Sequence, residues 1–116
     1  MPHIRAIYPE NSTIEGIVTD YAKEIRGALH QQFPKYQMDA IALIPEPISS
    51  KKMRKTYNLL MLEFVIDVGK QNEPLNEEHS DALCALFIKA CPMLRHINFG
   101  IWIREMPSNG FSEHKP

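Results

Sequence analysis

From Leu60 to Val68 every second residue is a large apolar one: Leu60, Leu62, Phe64, Ile66, Val68. The residues between them, Met61, Glu63, Val65 and Asp67, are mixed. A period of two places successive side chains on opposite faces of a strand, so Tyr57 to Val68 reads as a strand with an apolar face for a helix layer. Glu63 and Asp67 then point the other way, toward water, a partner chain or a site.

The segments on either side follow the same logic. His3 to Tyr8 reads as a first strand ending at Pro9. Ser12, with Glu15 three residues on, has the spacing of a capping box. Behind it Ile14, Ile17, Val18, Tyr21, Ala22, Ile25, Ala28 and Leu29 make one helical face, which Pro34 ends. Gln37 to Ile44 reads as a second strand closed by Pro45 and Pro47, and Ile48 to Lys55 as a loop. In that loop the run Lys51-Lys52-Met53-Arg54-Lys55 reads first as a solvated turn and second as an anion-binding rim. Gly69 to Pro74 is a turn. Asn76 caps a second helix that runs to Cys91, with His79, Ala82, Leu83, Leu86, Phe87 and Ala90 as its buried stripe and His79 as a packed histidine. His96 to Glu105 reads as the last long strand. Ile97, Phe99, Ile101 and Ile103 share one face, and His96, Asn98, Gly100, Trp102 and Arg104 the other.

The order is therefore β-α-β twice over. Each half predicts a right-handed crossover between parallel strands, and together they predict one α+β domain, residues 1–116: a four-stranded mixed sheet backed by two helices. Helices cover one sheet face only. The other carries Trp102, Met61, Leu59 and Tyr57, which is too apolar to stand in water, so something covers it.

Several chemistries find no support. No close Cys or His pairs have metal-ligand spacing, so no metal is expected. No Gly-rich phosphate loop, dinucleotide fingerprint or nucleophile elbow occurs, and no cofactor is implied. Thirteen basic against fourteen acidic residues leave no field that recruits nucleic acid or an anionic membrane. No apolar run is long enough to span a bilayer. The same strand order occurs in RNA-recognition modules. Those place a basic-glycine-aromatic run in the third strand, where this chain reads Tyr57-Asn58-Leu59-Leu60-Met61-Leu62-Glu63-Phe64, so RNA binding is a minor alternative. Cys84 and Cys91 stand two helical turns apart, about 10 Å of rise, too far for a disulfide. Both read as reduced thiols of a cytoplasmic protein.

The start of the chain offers one distinctive group. Pro2 follows Met1 directly, and removal of Met1 would leave its nitrogen a free secondary amine, able to act as a base without a side-chain partner. The length, the Met-Pro start and the two β-α-β units resemble the tautomerase superfamily. That group includes 4-oxalocrotonate tautomerase, macrophage migration inhibitory factor and 5-carboxymethyl-2-hydroxymuconate isomerase. Pro2-His3-Ile4 is similar to the opening of the last of these. The Tyr57 to Gly69 strand, and Trp102-Ile103-Arg104-Glu105-Met106 with Phe111 beyond, resemble its second half.

The resemblance implies a homotrimer with three sheets around a central axis and the helices outside. It also implies catalysis by Pro2 on a small keto or enol acid, in a pocket shared between subunits. Lys35 resembles in position a lysine that holds the substrate carboxylate, Val65 an aliphatic pocket residue, and Phe111 a tail aromatic. Arg104 and Trp102 are further candidates for substrate binding. The second strand, Gln37-Met38-Asp39-Ala40-Ile41, has none of the arginines that several family enzymes keep there, so a substrate carboxylate needs another partner. A non-catalytic trimer of the same fold, serving binding or assembly, is the alternative.

Overall fold

A computed structural model describes residues 2–49, 61–106 and 114. The strands are β1 His3–Pro9, β2 Ala42–Ile48, β3 Leu62–Val68 and β4 Phe99–Glu105. The helices are α1 Thr13–Asp20, α2 Ala22–Gln32 and α3 Glu77–Ala90. The sheet order is β2-β1-β3-β4, with β1 parallel to β2, β3 parallel to β4, and β1 antiparallel to β3. The two β-α-β units thus join along their first strands, which makes the sheet mixed.

The apolar face of β3 lies where its alternation requires. Leu62, Phe64, Ile66 and Val68 are wholly buried, and they share one core with Ile4, Ala6 and Tyr8 of β1 and Leu83 and Phe87 of α3. Phe64 meets Phe87 edge-on at 4.9 Å and Phe99 at 6.0 Å between ring centroids, a favourable geometry for ring quadrupoles. Ile97, Phe99, Ile101 and Ile103 pack against the same core, half-buried.

Several local expectations are corrected. The first helix is two helices, because the chain breaks at Tyr21, with φ −110° and ψ 20°. Thr19, Asp20 and Tyr21 are weak helix formers, so a break there costs little. Each short piece then turns its own apolar residues to the sheet: Ile14, Ile17 and Val18 from α1, and Ile25, Ala28 and Leu29 from α2. The capping box at Ser12 does not form. The Ser12 hydroxyl donates instead to the Pro9 carbonyl at 2.6 Å, after a left-handed Asn11 (φ 58°).

The box does form at Asn76. Its Oδ1 accepts from the backbone N–H of Glu78 and His79, and His79 Nδ1 accepts from the Asn76 N–H at 3.1 Å. The half-exposed His79 is therefore a capping partner rather than a packed core residue, and Ala82 is exposed.

The second strand starts later than the sequence pattern suggests. Met38–Ala40 is a 3₁₀ turn, and β2 runs through Pro45 and Pro47 rather than stopping at them. The Ala42 N–H donates to the Pro2 carbonyl at 3.3 Å. Alternation along the strand therefore turns the nitrogens of Pro45 and Pro47 to the outer edge, where no ladder bond is lost. β4 likewise starts at Phe99 rather than His96, because Pro92–His96 forms a 3₁₀ turn with proline at its head. The predicted strand residues Tyr57 to Leu60 and the Lys51 to Lys55 run lie outside the described residues.

Candidate active site

Pro2 is buried at the head of β1, in the middle of the sheet. His3 pairs with Ala42 on one side and Asp67 on the other, and Asp67 pairs with Arg104. Ala42, His3, Asp67 and Arg104 thus form one row across the sheet. The next row is Ile44, Arg5, Val65 and Trp102, and the one after is Glu46, Ile7, Glu63 and Gly100. All three rows lie on the face away from the helices.

Charge on this face is mostly matched in pairs. Asp67, 5% exposed, takes a two-pronged contact from Arg104 and lies 2.9 Å from His3 Nε2. Burial pushes its carboxyl up, but the Arg104 hydrogen bonds and charge, with a smaller contribution from His3, outweigh that and hold it below the usual carboxylate range. Arg5 forks Glu46 at 2.7 and 3.0 Å. The Arg5 hydrogen bond, opposed by burial and assisted by the Arg5 charge, lowers the Glu46 carboxyl too.

The Asp67 cluster sets an acid limit. A carboxyl whose folded pKa is depressed contributes stability above its unfolded value, and this is lost as pH falls through the folded one. Asp67→Asn is therefore expected to cost stability near neutrality, by roughly 1–3 kcal/mol. The gap from wild type should narrow as pH falls below the ordinary carboxylate range and Asp67 takes up its proton, read from urea midpoints. A gap independent of pH would mean that Asp67 acts by shape alone.

Glu63 differs from its neighbours. It is 7% exposed, and its Oε2 has no hydrogen-bond partner among the described residues. It lines a cleft of about 280 Å³ with Val65, Trp102, Ile103 and Arg104.

Lys35 lies elsewhere. It follows α2, and its Nζ donates to the Lys70 carbonyl at 3.0 Å while standing 5.2 Å from the Tyr36 ring centroid. The Tyr36 hydroxyl accepts from the Gly69 N–H at 2.8 Å. A Cβ at Gly69 would come within 3.0 Å of that oxygen, so the close approach calls for glycine. Lys35 lines a separate cleft of about 380 Å³ with Gln32, Phe33, Gln71, Asn72, Glu73 and His79.

One chain therefore brings Val65, Trp102 and Arg104 together and leaves Lys35 in another cleft. Both Lys35 and Pro2 lie at the end of the sheet where β3 runs out, because His3 pairs with Asp67 and Lys35 reaches Lys70. Phe111 lies outside the described residues. Sequence reasoning missed His3 and the neutralising of Arg104 by Asp67, which only strand register reveals, and Tyr36, whose hydroxyl meets the Gly69 N–H from a loop 33 residues away in the sequence. No group of three His, Cys, Asp or Glu suited to a metal occurs among the described residues, nor a helix long and apolar enough to cross a membrane.

Neither a protein-family model nor a curated protein matches the sequence. Solved structures do match the fold. A wild-type asymmetric trimer of fused 4-OT superposes with a TM-score of 0.64 at 11% identity, over 96% of this chain and 91% of that one. Macrophage migration inhibitory factor from Toxoplasma gondii gives 0.62 at 8% identity, over 98% and 97%. The chain has the tautomerase-superfamily fold. A third match, Pt0534 inactivated by 2-oxo-3-pentynoate, gives 0.64 at 15% identity, over 96% and 90%. At these identities the likeness carries the tautomerase fold and no more.

Proposed function

We propose that this protein is a homotrimeric tautomerase acting on a small keto or enol acid, with the Pro2 nitrogen as general base once Met1 is removed. The observation that carries this reading is the buried Pro2 at the head of the central strand of a tautomerase-superfamily fold. An amine there is partly shielded from water, which disfavours its ammonium form and keeps a lone pair available. The nitrogen takes a proton from the carbon beside the substrate carbonyl, and the electron pair moves to oxygen as an enolate. The prolinium then returns that proton to oxygen or to a different carbon, so atoms and charge balance.

Lys35 serves as the cation for the substrate carboxylate. Arg104 is poorly suited to this, because Asp67 already balances its charge. Val65 and Phe111 supply apolar contact. Lys35 and Val65 occupy separate clefts within one chain, which supports a pocket completed between subunits. Two free cysteines fit a reducing compartment such as the cytoplasm.

The test is a phenylenolpyruvate ketonisation assay on protein of measured mass. Lys35→Met should raise KM about tenfold or more, with a smaller change in kcat. Absence of ketonisation by a chain that starts at Pro2 would favour the non-catalytic trimer. The pairing of Arg104 with Asp67 and the lack of arginine in β2 speak for that second reading.

A further inference from the structure

We infer that Tyr36 is the positioning residue for Lys35. Its ring steadies the ammonium, and its hydroxyl fixes the loop whose carbonyl holds that ammonium ready for a substrate carboxylate. The inference rests on the role proposed above for Lys35 and names what aims it.

Lys35 differs from the arginines of the sheet. Arg104 is paired with Asp67 and Arg5 with Glu46, whereas Lys35 has no carboxylate partner among the described residues. Its Nζ has two neutral contacts instead, the Lys70 carbonyl at 3.0 Å and the Tyr36 ring at 5.2 Å from the centroid. A carbonyl takes one N–H of an ammonium, and leaves its other donors and its charge for an anion. A lysine stem is flexible, so whatever fixes these two contacts decides where the charge stands.

Both contacts lead to Tyr36. The first is direct, since the ring lies within the ~6 Å at which an aromatic face attracts a cation. The second runs through the loop that leaves β3. The Tyr36 hydroxyl accepts from the Gly69 N–H at 2.8 Å and from Gln71 Nε2 at 3.4 Å. Gln71 Nε2 also donates to the Gly69 carbonyl at 2.7 Å. Lys70 stands between the two residues so tied, and its carbonyl is the one that Lys35 uses.

Tyr36 is itself held. Its N–H donates to the Phe33 carbonyl at 3.1 Å, its carbonyl accepts from His30 Nδ1, and its side chain packs against the core. The hydroxyl comes so near the loop that the contact has a steric signature. A Cβ at Gly69 would lie 3.0 Å from that oxygen and, chain neighbours aside, within 4 Å of no other atom of the described residues. Gly69 does not have a positive φ. Alanine there would therefore meet the hydroxyl and little else.

Steady-state ketonisation by the full processed chain tests this, with phenylenolpyruvate and its uncharged methyl ester as paired substrates. Tyr36→Phe keeps the ring and loses the hydroxyl. It should raise KM for the acid roughly 3–10-fold, with kcat nearly unchanged. Tyr36→Leu loses both contacts and should approach Lys35→Met. Gly69→Ala should act as Tyr36→Phe does, and the two together should cost no more than the larger single, because the oxygen that Ala meets is gone. Tyr36→Phe should likewise add nothing to Lys35→Met. For the ester, KM should be the same in wild type, Tyr36→Phe and Gly69→Ala. Thermal unfolding separates these effects from lost folding, and Tyr36→Phe with Gly69→Ala suffices if Tyr36→Leu does not fold. Three results would overturn the positioning and leave the proposed tautomerase standing: equal losses for acid and ester, additive effects of Gly69→Ala and Tyr36→Phe, or an acid KM raised by Lys35→Met but not by Tyr36→Phe. An acid KM that Lys35→Met leaves unchanged, or no ketonisation by a chain that starts at Pro2, would remove the role of Lys35 and this inference together.

Discussion

A chain that begins at Pro2 should ketonise an enol acid roughly 10²–10⁴ times faster than the same chain carrying Met1. The difference is one lone pair. With Met1 in place the Pro2 nitrogen is an amide, and an amide nitrogen neither accepts a proton at neutral pH nor returns one. With Met1 removed it is an amine, whose ordinary pKa near ~8 falls when the group is buried or faces positive charge. Asp67 would oppose that fall, but Arg104 and His3 hold its carboxylate. The rate of the processed form should therefore rise with pH as the amine loses its proton, and then level off. The extended form should show no such rise. Pro2→Ala leaves a primary amine after processing and should lose part of the rate through changed basicity and placement. Intact mass fixes which form is assayed. Equal rates for both forms would make Pro2 an ordinary strand residue.

The second large effect concerns stability. Phe87→Ala should destabilise the protein by roughly 3–5 kcal/mol. Phe87 is fully buried on α3 and meets Phe64 edge-on at 4.9 Å, so its ring joins the helix to the centre of the sheet. Truncation leaves a cavity whose walls are strand backbone and the faces of other core residues, and strands relax little into such a space. Domains of this size are stable by only about 5–15 kcal/mol, so the loss is a large share of the total. The melting temperature should fall by roughly 10–20 °C. An unchanged urea midpoint would mean that the ring does not fill the position the structure gives it.

Long-range order was legible where it rests on periodicity. The alternation from Leu62 to Val68 and the helical spacing of Leu83 and Phe87 place the core on one side of the sheet, as found. The β-α-β order was readable for the same reason, because a period of two or near four survives in any context. Local details were less so. Ser12 and Glu15 have the spacing of a capping box, but the Ser12 hydroxyl turns to donate to the Pro9 carbonyl and the Glu15 N–H donates to the Ser12 backbone carbonyl rather than to its side chain. Pro45 and Pro47 look like strand breakers until the strand is known to lie at an edge with their nitrogens outward. The cluster of His3, Asp67 and Arg104 was out of reach, since its members come from three strands. Only pairing brings them into one row.

The position of β1 has a consequence for how the chain acquires its structure. The earliest made of the four strands is a central one, flanked by β2 on one side and β3 on the other. Neither neighbour is joined to it by a tight turn, so no local hairpin can set its register. Ile4, Ala6 and Ile7 must wait, uncovered, until residues as distant as Asp67 have been made. Closing loops of that length before any ladder bond rewards them is slow. The helices α1 and α2 are local and can gather first, giving the waiting strand an apolar surface to rest on. Meanwhile β2 offers stray strands an outer edge that lacks two of its donors, a safeguard during the interval when the sheet is half built.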